Sequence, residues 1–502
     1  MTVVTEALAT RLLASGTAGS SSAEVLVAVV LTGSDLSIDD LVAISRDHVS
    51  ASLDPASVAR MAKTRAVVDR ALARGDQVYG LNTGVGVLKR VGVDAEVDAL
   101  ASFNLAMLRG HRMAQGPAAP DDVARATLAC LANTLARGSA GIRPEVVERL
   151  LERLNAGDPP AIHILGSIGQ ADLATMADVA LGTVADLALD PGEALALLDN
   201  NAFATGWGAL ALADTRRLLG AMEAAGALSL EAFAANLTML HPAIDAARPY
   251  PGLARARERL AARLHGSRLF EPGAARNLQD PLTFRNLPQI LGAASDVLTF
   301  AEGQATIELN ASQGNPIVVA EEERLISVAN FEALPLALAL DAVRAALATV
   351  VGSSSERAVK LLEAPWSGLP TGLTDRSERA DAGLSMLGIA VQSFAAEARL
   401  LAQPVSFELV STSHAEGIED RMTMAPLAAR RLAEMVGLAE LVVSVELVVG
   451  AQAVELRGPA GMGEGTKGTL ASIRERFPFF DGHDLAGNDL QPVVELVRSG
   501  EL

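Results

Sequence analysis

Two stretches of this 502-residue chain carry residues whose types and spacing could do chemistry. In Gly166-Ser167-Ile168-Gly169-Gln170-Ala171-Asp172-Leu173-Ala174, small residues turn the chain into an aspartate at a helix-start position. Asp172 is expected to cap a helix that begins at Leu173 and passes through Met176, Ala177 and Ala180. Backbone N–H groups at such a start form a positive pole, suited to holding an anion or polarising an electrophile. The alternative is a plain turn before a helix. The second stretch, Tyr79-Gly80-Leu81-Asn82-Thr83-Gly84-Val85-Gly86, has one of the chain's two tyrosines at its head. Its glycines would let it bend sharply and open and close.

The elements that must position these stretches read as helices. Ser37-Ile38-Asp39-Asp40-Leu41 is a capped helix start, and Asp54-Pro55 opens a helical run through Arg74 that Gly75 ends. Val25–Leu31 reads as a short strand or a helix start, after a small, polar and flexible segment over residues 1–24. Helical patterning resumes at Asp94 and continues, with breaks, to Leu154. Beyond Pro191 long windows contain no proline, and Ala/Leu-rich runs such as Ala209–Ala225 and Leu384–Leu401 fill them. The fold class is therefore mainly α. A smaller N-terminal α-rich domain, residues 25–195, carries the Tyr79 loop and the helix start at Asp172. A long-helix bundle with the C-terminal region follows over residues 196–502.

Composition excludes several function classes. Half the residues are hydrophobic and 20% charged, which is a globular balance and not a disordered one. The net charge of −19, with no basic patch, argues against a nucleic-acid or anionic-membrane partner. Cys130 is the single cysteine, and the seven histidines show no pair at metal-ligand spacing, so neither a disulfide framework nor a metal site is expected. Glu6 and Arg11 interrupt the N-terminus, Val25–Leu31 is too short to span a bilayer, and Leu441–Leu456 carries Glu446 and Glu455. A cytoplasmic location and a buried Leu441–Leu456 helix are expected. The helical apolar surface is too large for one subunit to bury, which points to assembly through helix faces.

Several blocks in fixed order resemble the family of histidine and aromatic amino-acid ammonia-lyases and aminomutases. They are Tyr79–Gly86, Leu135–Arg143, Gly166–Ala174, Glu193–Leu198, and Gln279–Arg285 followed by Pro288-Gln289. Asn315-Pro316, Asn330-Phe331, Ser355-Glu356-Arg357 and Glu419-Asp420 complete the set, over roughly residues 25 to 430. The resemblance implies a mostly helical homotetramer with active sites built from more than one subunit. It also implies a small-molecule substrate.

The departure sits at Gly166–Ala174. Members of that family carry Ala-Ser-Gly before the aspartate, and those residues cyclise and dehydrate into a methylidene-imidazolone, the electrophile that attacks substrate. A serine must supply the methylene and a glycine the unhindered ring nitrogen. Between Gly169 and Asp172 this chain has only Gln170-Ala171. Ser167 does not substitute, because the β-branched Ile168 follows it. No prosthetic group is expected. The asparagine that would hydrogen-bond that group falls on Asp199, which offers no amide donor. Leu282 stands for a tyrosine, Glu332 for a histidine, Val85 for a phenylalanine and Ile418 for a glutamine.

The resemblance assigns roles to what remains. Tyr79 matches the general base or acid, with loop anchoring as the alternative. Arg285 and Asn315 match positions that hold a substrate carboxylate, the alternative being a structural ion pair between helices. Glu419 matches a carboxylate near the substrate amine; alternatively it satisfies a helix start. Gln279, Phe331 and Leu282 match pocket-lining positions, His111 a loop histidine, and Asn82 touches substrate or fixes the loop. Asp199 is a new acid that could bind an ammonium group or shuttle a proton beside Tyr79. Elimination, addition, isomerisation or cyclisation on an activated, carboxylate-bearing substrate, free or carrier-linked, fits this equipment, as in a tailoring step of secondary metabolism. A non-catalytic ligand-binding or assembly relative, and a lyase working without the group, are the alternatives.

Overall fold

Capping chemistry sets the first helices. In this computed structural model Ser37 accepts the Asp40 N–H while the Asp40 carboxylate accepts the Ser37 N–H, a complete capping box on the helix Ile38–Arg46. Asp54 caps Pro55–Ala73 through the Ser57 N–H, with proline at the first helical position as its missing donor permits. The structure describes residues 28–93, 97–374, 382–407, 414–481 and 489–502. The expected flexible segment, residues 1–24, lies outside them. Of Val25–Leu31, Val29–Leu31 forms a strand.

The described residues are mainly helical, with three two-stranded sheets. Val29–Leu31 pairs in parallel with Ala51–Leu53. Gln115–Ala118 pairs antiparallel with His163–Leu165, and Ile317–Val319 with Arg324–Ile326. The run from Asp94 to Leu154 resolves into Val97–His111, Asp121–Ala136 and Pro144–Asn155, with the Gln115–Ala118 strand between the first two. That strand contains Gly116 and Pro117 and no buried residue, so it has no apolar alternation to reveal it.

The chain divides into two compact units. One takes residues 1–167, 171–206 and 309–331, and its centre is the Asp121–Ala136 helix, every residue of which from Val123 on is buried. The second takes residues 168–170, 207–308 and 332–502. There the helices Leu334–Leu362, Ser385–Leu401 and Ala425–Arg457 pack on one another. Leu334–Leu362 is long and apolar enough to cross a membrane by length and composition, but it is a largely buried bundle helix carrying Asp341, Arg344 and Arg357.

An ionic cluster is buried within the apolar packing of the bundle. Arg357 and Glu446 are both fully buried and form a two-pronged ion pair at 2.6 and 2.9 Å. Ser229 and Ser354 donate to the same carboxylate, so its oxygens are satisfied without water. The expected burial of Leu441–Leu456 thus includes Glu446, while Glu455 near its end is only partly buried.

Candidate active site

The Tyr79 loop is built by its own side chains. Asn82 accepts the Val78 N–H and donates to the Asp76 carbonyl, each at 2.9 Å. Thr83 pairs with Gly92 across the loop base. Gly80 has φ +71, and a Cβ there would overlap the Leu195 side chain, so only glycine allows the loop to seat on the helix Glu193–Leu198. Asn82 therefore holds the loop, the second of its two expected roles. The Tyr79 ring is half-buried, and its hydroxyl oxygen accepts the Gly86 N–H at 2.9 Å. An N–H aimed at that oxygen orients the phenol and supports negative charge on it when the proton leaves.

The Glu193–Leu198 helix is positioned by its first residue. Glu193 is fully buried and accepts from Arg143 at 2.7 Å, while Asn104 accepts the Ala194 N–H. The helix ends at Asp199, which is buried and occupies the C-cap position. Asn201 follows, donating its N–H to Gln313 at 3.1 Å and its side-chain amide to the Phe331 carbonyl at 2.8 Å. The Asn315 side chain accepts the Val328 N–H at 2.8 Å, closing the loop beyond the 317–326 hairpin. One unit thus carries Tyr79, Asp199, Asn315 and Phe331 together. Asn201 and Gln313, which join these segments, belong to no motif that sequence reasoning singles out; the polar run Asp199-Asn200-Asn201 before a long apolar helix is the available signal.

At Gly166–Asp172 the structure corrects the capping expectation. Asp172 precedes the helix Leu173–Val184, yet its side chain makes no cap bond to it. Its carboxylate accepts from Ser167 Oγ and from the Ala204 N–H, both at 2.8 Å. It satisfies the open N-terminus of the long helix Ala202–Phe233 instead. Burial pushes the carboxyl up to about 6, against the pull of the Ala204 and Ser167 hydrogen bonds.

The neighbouring residues 168–170 are clamped from two sides. Ile168 O accepts the Thr423 and Met424 N–H groups at 3.1 and 2.9 Å, and Thr423 Oγ1 donates to Gly169 O at 2.6 Å. Gln170 forms an antiparallel bridge with Glu332 and donates its side-chain amide to Glu332 Oε2 at 2.9 Å.

In the second unit the Gln279–Arg285 block is anchored by what points inward. Phe284 is buried and stacks on Phe233 with ring centroids 4.1 Å apart. Arg357 donates to Thr283 O at 3.2 Å. Gln279, Leu282 and Arg285 are exposed on this chain. Glu419 is half-buried and lies six residues before the helix that starts at Ala425, so its helix-start alternative is overturned. His111 ends the helix Val97–His111 and holds Met107 O through Nδ1 at 2.8 Å.

A model of the aromatic amino acid lyase family matches residues 36–185 and 182–475. The chain belongs to the aromatic amino acid lyase family. It is 32% identical to a histidine ammonia-lyase of Gloeobacter violaceus, covering 94% of this chain and 96% of that one. Among solved structures it is similar to an ergothioneine-degrading enzyme, ergothionase, of Treponema denticola. The TM-score is 0.88 at 27% identity, over 94% of this chain and 99% of the other. A histidine ammonia-lyase of Trypanosoma cruzi gives 0.86 at 27% identity, covering 94% of each chain. The aromatic amino acid lyase family is an enzyme family of ammonia-lyases and aminomutases acting on small molecules.

Proposed function

We propose that this chain is an ammonia-lyase-fold enzyme that works without the methylidene-imidazolone group. Tyr79 performs acid–base chemistry for elimination or addition, isomerisation or cyclisation on a small carboxylate-bearing substrate. The observation that carries this is the contrast between two stretches. The Tyr79 hydroxyl is held by the Gly86 N–H, whereas the residues before Asp172 do not fit the prosthetic group. The Ser167 hydroxyl is committed to Asp172, and the Ile168 and Gly169 carbonyls to the 423–424 segment. Gln170 and Ala171 offer neither a hydroxyl to eliminate nor a glycine nitrogen to close a ring.

Without an electrophile the substrate must bring its own activation. The β-proton of an ordinary amino acid is scarcely acidic, and an amine that is not held in its cationic form leaves poorly. A substrate with a permanently cationic leaving group or a carbonyl-acidified proton lowers both demands. Arg285 is the group proposed to orient the carboxylate. The deciding assay is turnover of activated substrates by the Tyr79→Phe variant. Asp199, buried at the end of the helix that seats the Tyr79 loop, is proposed as a second acid–base group. Asp199→Asn is expected to lower kcat by roughly 10-fold or more; unchanged turnover rules it out of the chemistry.

A second reading, a non-catalytic relative, is favoured by one observation: the Tyr79 hydroxyl closes its own loop. It predicts ligand binding without turnover. In either case we propose a homotetramer. Ile307 on the helix Leu287–Leu309 and Met386, Ile389 and Leu400 on Ser385–Leu401 are exposed large apolar residues, a pattern that partner subunits would cover. Sedimentation is expected to give about four chains per particle at micromolar concentration, and a monomer there overturns the assembly.

A further inference from the structure

A cavity of about 780 Å³ lies within the second unit, between the segments 236–242 and 269–278. That volume falls in the range of small-molecule sites. Its lining shares no residue with the candidate active site. The two walls are stapled together: the buried Asp280 accepts the Asn236 N–H at 2.6 Å and the Asn277 side-chain amide at 3.2 Å. Asn236 donates its own amide to Leu278 O at 3.0 Å, and the Arg276 N–H reaches Ala234 O at 2.9 Å. The cavity is therefore preformed, which lowers the ordering cost of filling it. Leu240, Leu269 and Phe270 give it apolar walls, and the Phe270 side chain is exposed there.

In a chain of net charge −19, the charge beside this cavity is positive. Arg276 lines it, with its guanidinium 4.6 Å over the Phe233 ring and one amino group donating to Trp366 O. Arg457 stands close to both Arg276 and Arg268. Burial first, and then these two charges, push its guanidinium below the usual arginine range. Among the described residues no carboxylate forms an ion pair with any of the three. Glu271, the one carboxylate of the lining, is exposed and leaves them unneutralised. Carbonyl groups take one donor of Arg276 and two of Arg457, at Ala232 and Ser367, so other guanidinium donors remain. His241 adds a further donor. Its Nδ1 accepts the Ala243 N–H at 3.1 Å, which puts the ring proton on Nε2.

We propose that this cavity binds a small phosphate monoester with an apolar body, its phosphate held by Arg276 in the field of Arg268 and Arg457. A planar guanidinium matches the spacing of phosphate oxygens, and Phe233 keeps the Arg276 plane in place. A phosphate monoester brings about two negative charges near neutral pH, against one for a carboxylate, and relieves the repulsion among three arginines. The apolar body covers Leu240, Leu269 and Phe270, which gives the site a preference that charge alone does not supply. The inference stands apart from the Tyr79 chemistry, because it concerns binding and needs no turnover.

The test is calorimetric titration of the full chain with phenyl phosphate, inorganic phosphate and phenol. Wild type is expected to bind phenyl phosphate at least about tenfold more tightly than either of the others. Arg276→Gln removes the guanidinium and is expected to weaken phenyl phosphate by about tenfold or more. Because Arg276 also holds Trp366, the exposed Arg268 supplies a second variant. Arg268→Gln keeps the Arg276 contacts and is expected to weaken phenyl phosphate by about threefold, an effect that shrinks with added salt. Thermal melts of both variants confirm that each is folded. No binding of phenyl phosphate by wild type at millimolar concentration overturns the proposal. So does phenyl phosphate bound no more tightly than inorganic phosphate, or an affinity unchanged in both arginine variants.

Discussion

Replacing Tyr79 by phenylalanine is expected to lower kcat by roughly 10²- to 10⁴-fold while substrate binding changes by less than about threefold, the range general acid–base groups contribute. The substitution removes one oxygen and keeps the ring, so the half-buried packing survives. The hydroxyl's contact with the Gly86 N–H goes with it. Such a bond is worth about 1 kcal/mol net, and Asn82 and Thr83 hold the loop independently. Loop collapse would therefore be a small effect and proton transfer a large one, and the split between kcat and KM separates them. Full activity in Tyr79→Phe sinks the proposed chemistry; a rise in KM at constant kcat assigns Tyr79 to loop anchoring alone.

The second large effect is on stability. Asp172 is fully buried, and its folded carboxyl titrates at about 6 against 3.8 in the open chain. The folded state therefore holds the proton more tightly. Its contribution is fully present below about pH 4 and is lost as pH rises through about 6. A shift of about two units corresponds to about 3 kcal/mol. Asp172→Asn removes the titration while keeping the hydrogen bonds. The amide oxygen can accept from Ala204, and the amide nitrogen can donate to Ser167 Oγ, whose hydroxyl turns to accept. Relative to wild type, Asp172→Asn is expected to gain about 3 kcal/mol between pH 4 and pH 7, read from denaturant midpoints across that range. A difference independent of pH would mean that Asp172 is not held as a high-pKa acid.

Both effects start from stretches whose residue types mark them out along the chain, but they differ in how much of each is legible there. Tyr79, the glycines and Asn82 lie within eight residues, and local sequence carries local turn chemistry well. The loop is therefore recognisable, although whether Asn82 serves substrate or backbone depends on where its amide points. The capped helices at Ser37 and Asp54 are equally legible, since each cap bonds to a donor three residues on. Asp172 reads as the same kind of cap and is not one. The competing donor, Ala204, lies 32 residues away and becomes a neighbour only after the chain has turned back. Glu419 reads as a possible helix-start group by the same local logic, yet the helix begins at Ala425.

The sequence by itself determined the helical class and the family blocks in their order. Those are properties of residue type and short spacing. Only the tertiary structure decided which partners the buried polar groups take. Asp172 serves a distant helix, Gln170 holds Glu332 from 162 residues away, and Arg357 meets Glu446 from 89 residues away. A buried donor or acceptor must be paired, but the pairing rule does not say with whom. That choice is made by the packing that brings remote segments within about 3 Å of one another, which no local pattern encodes.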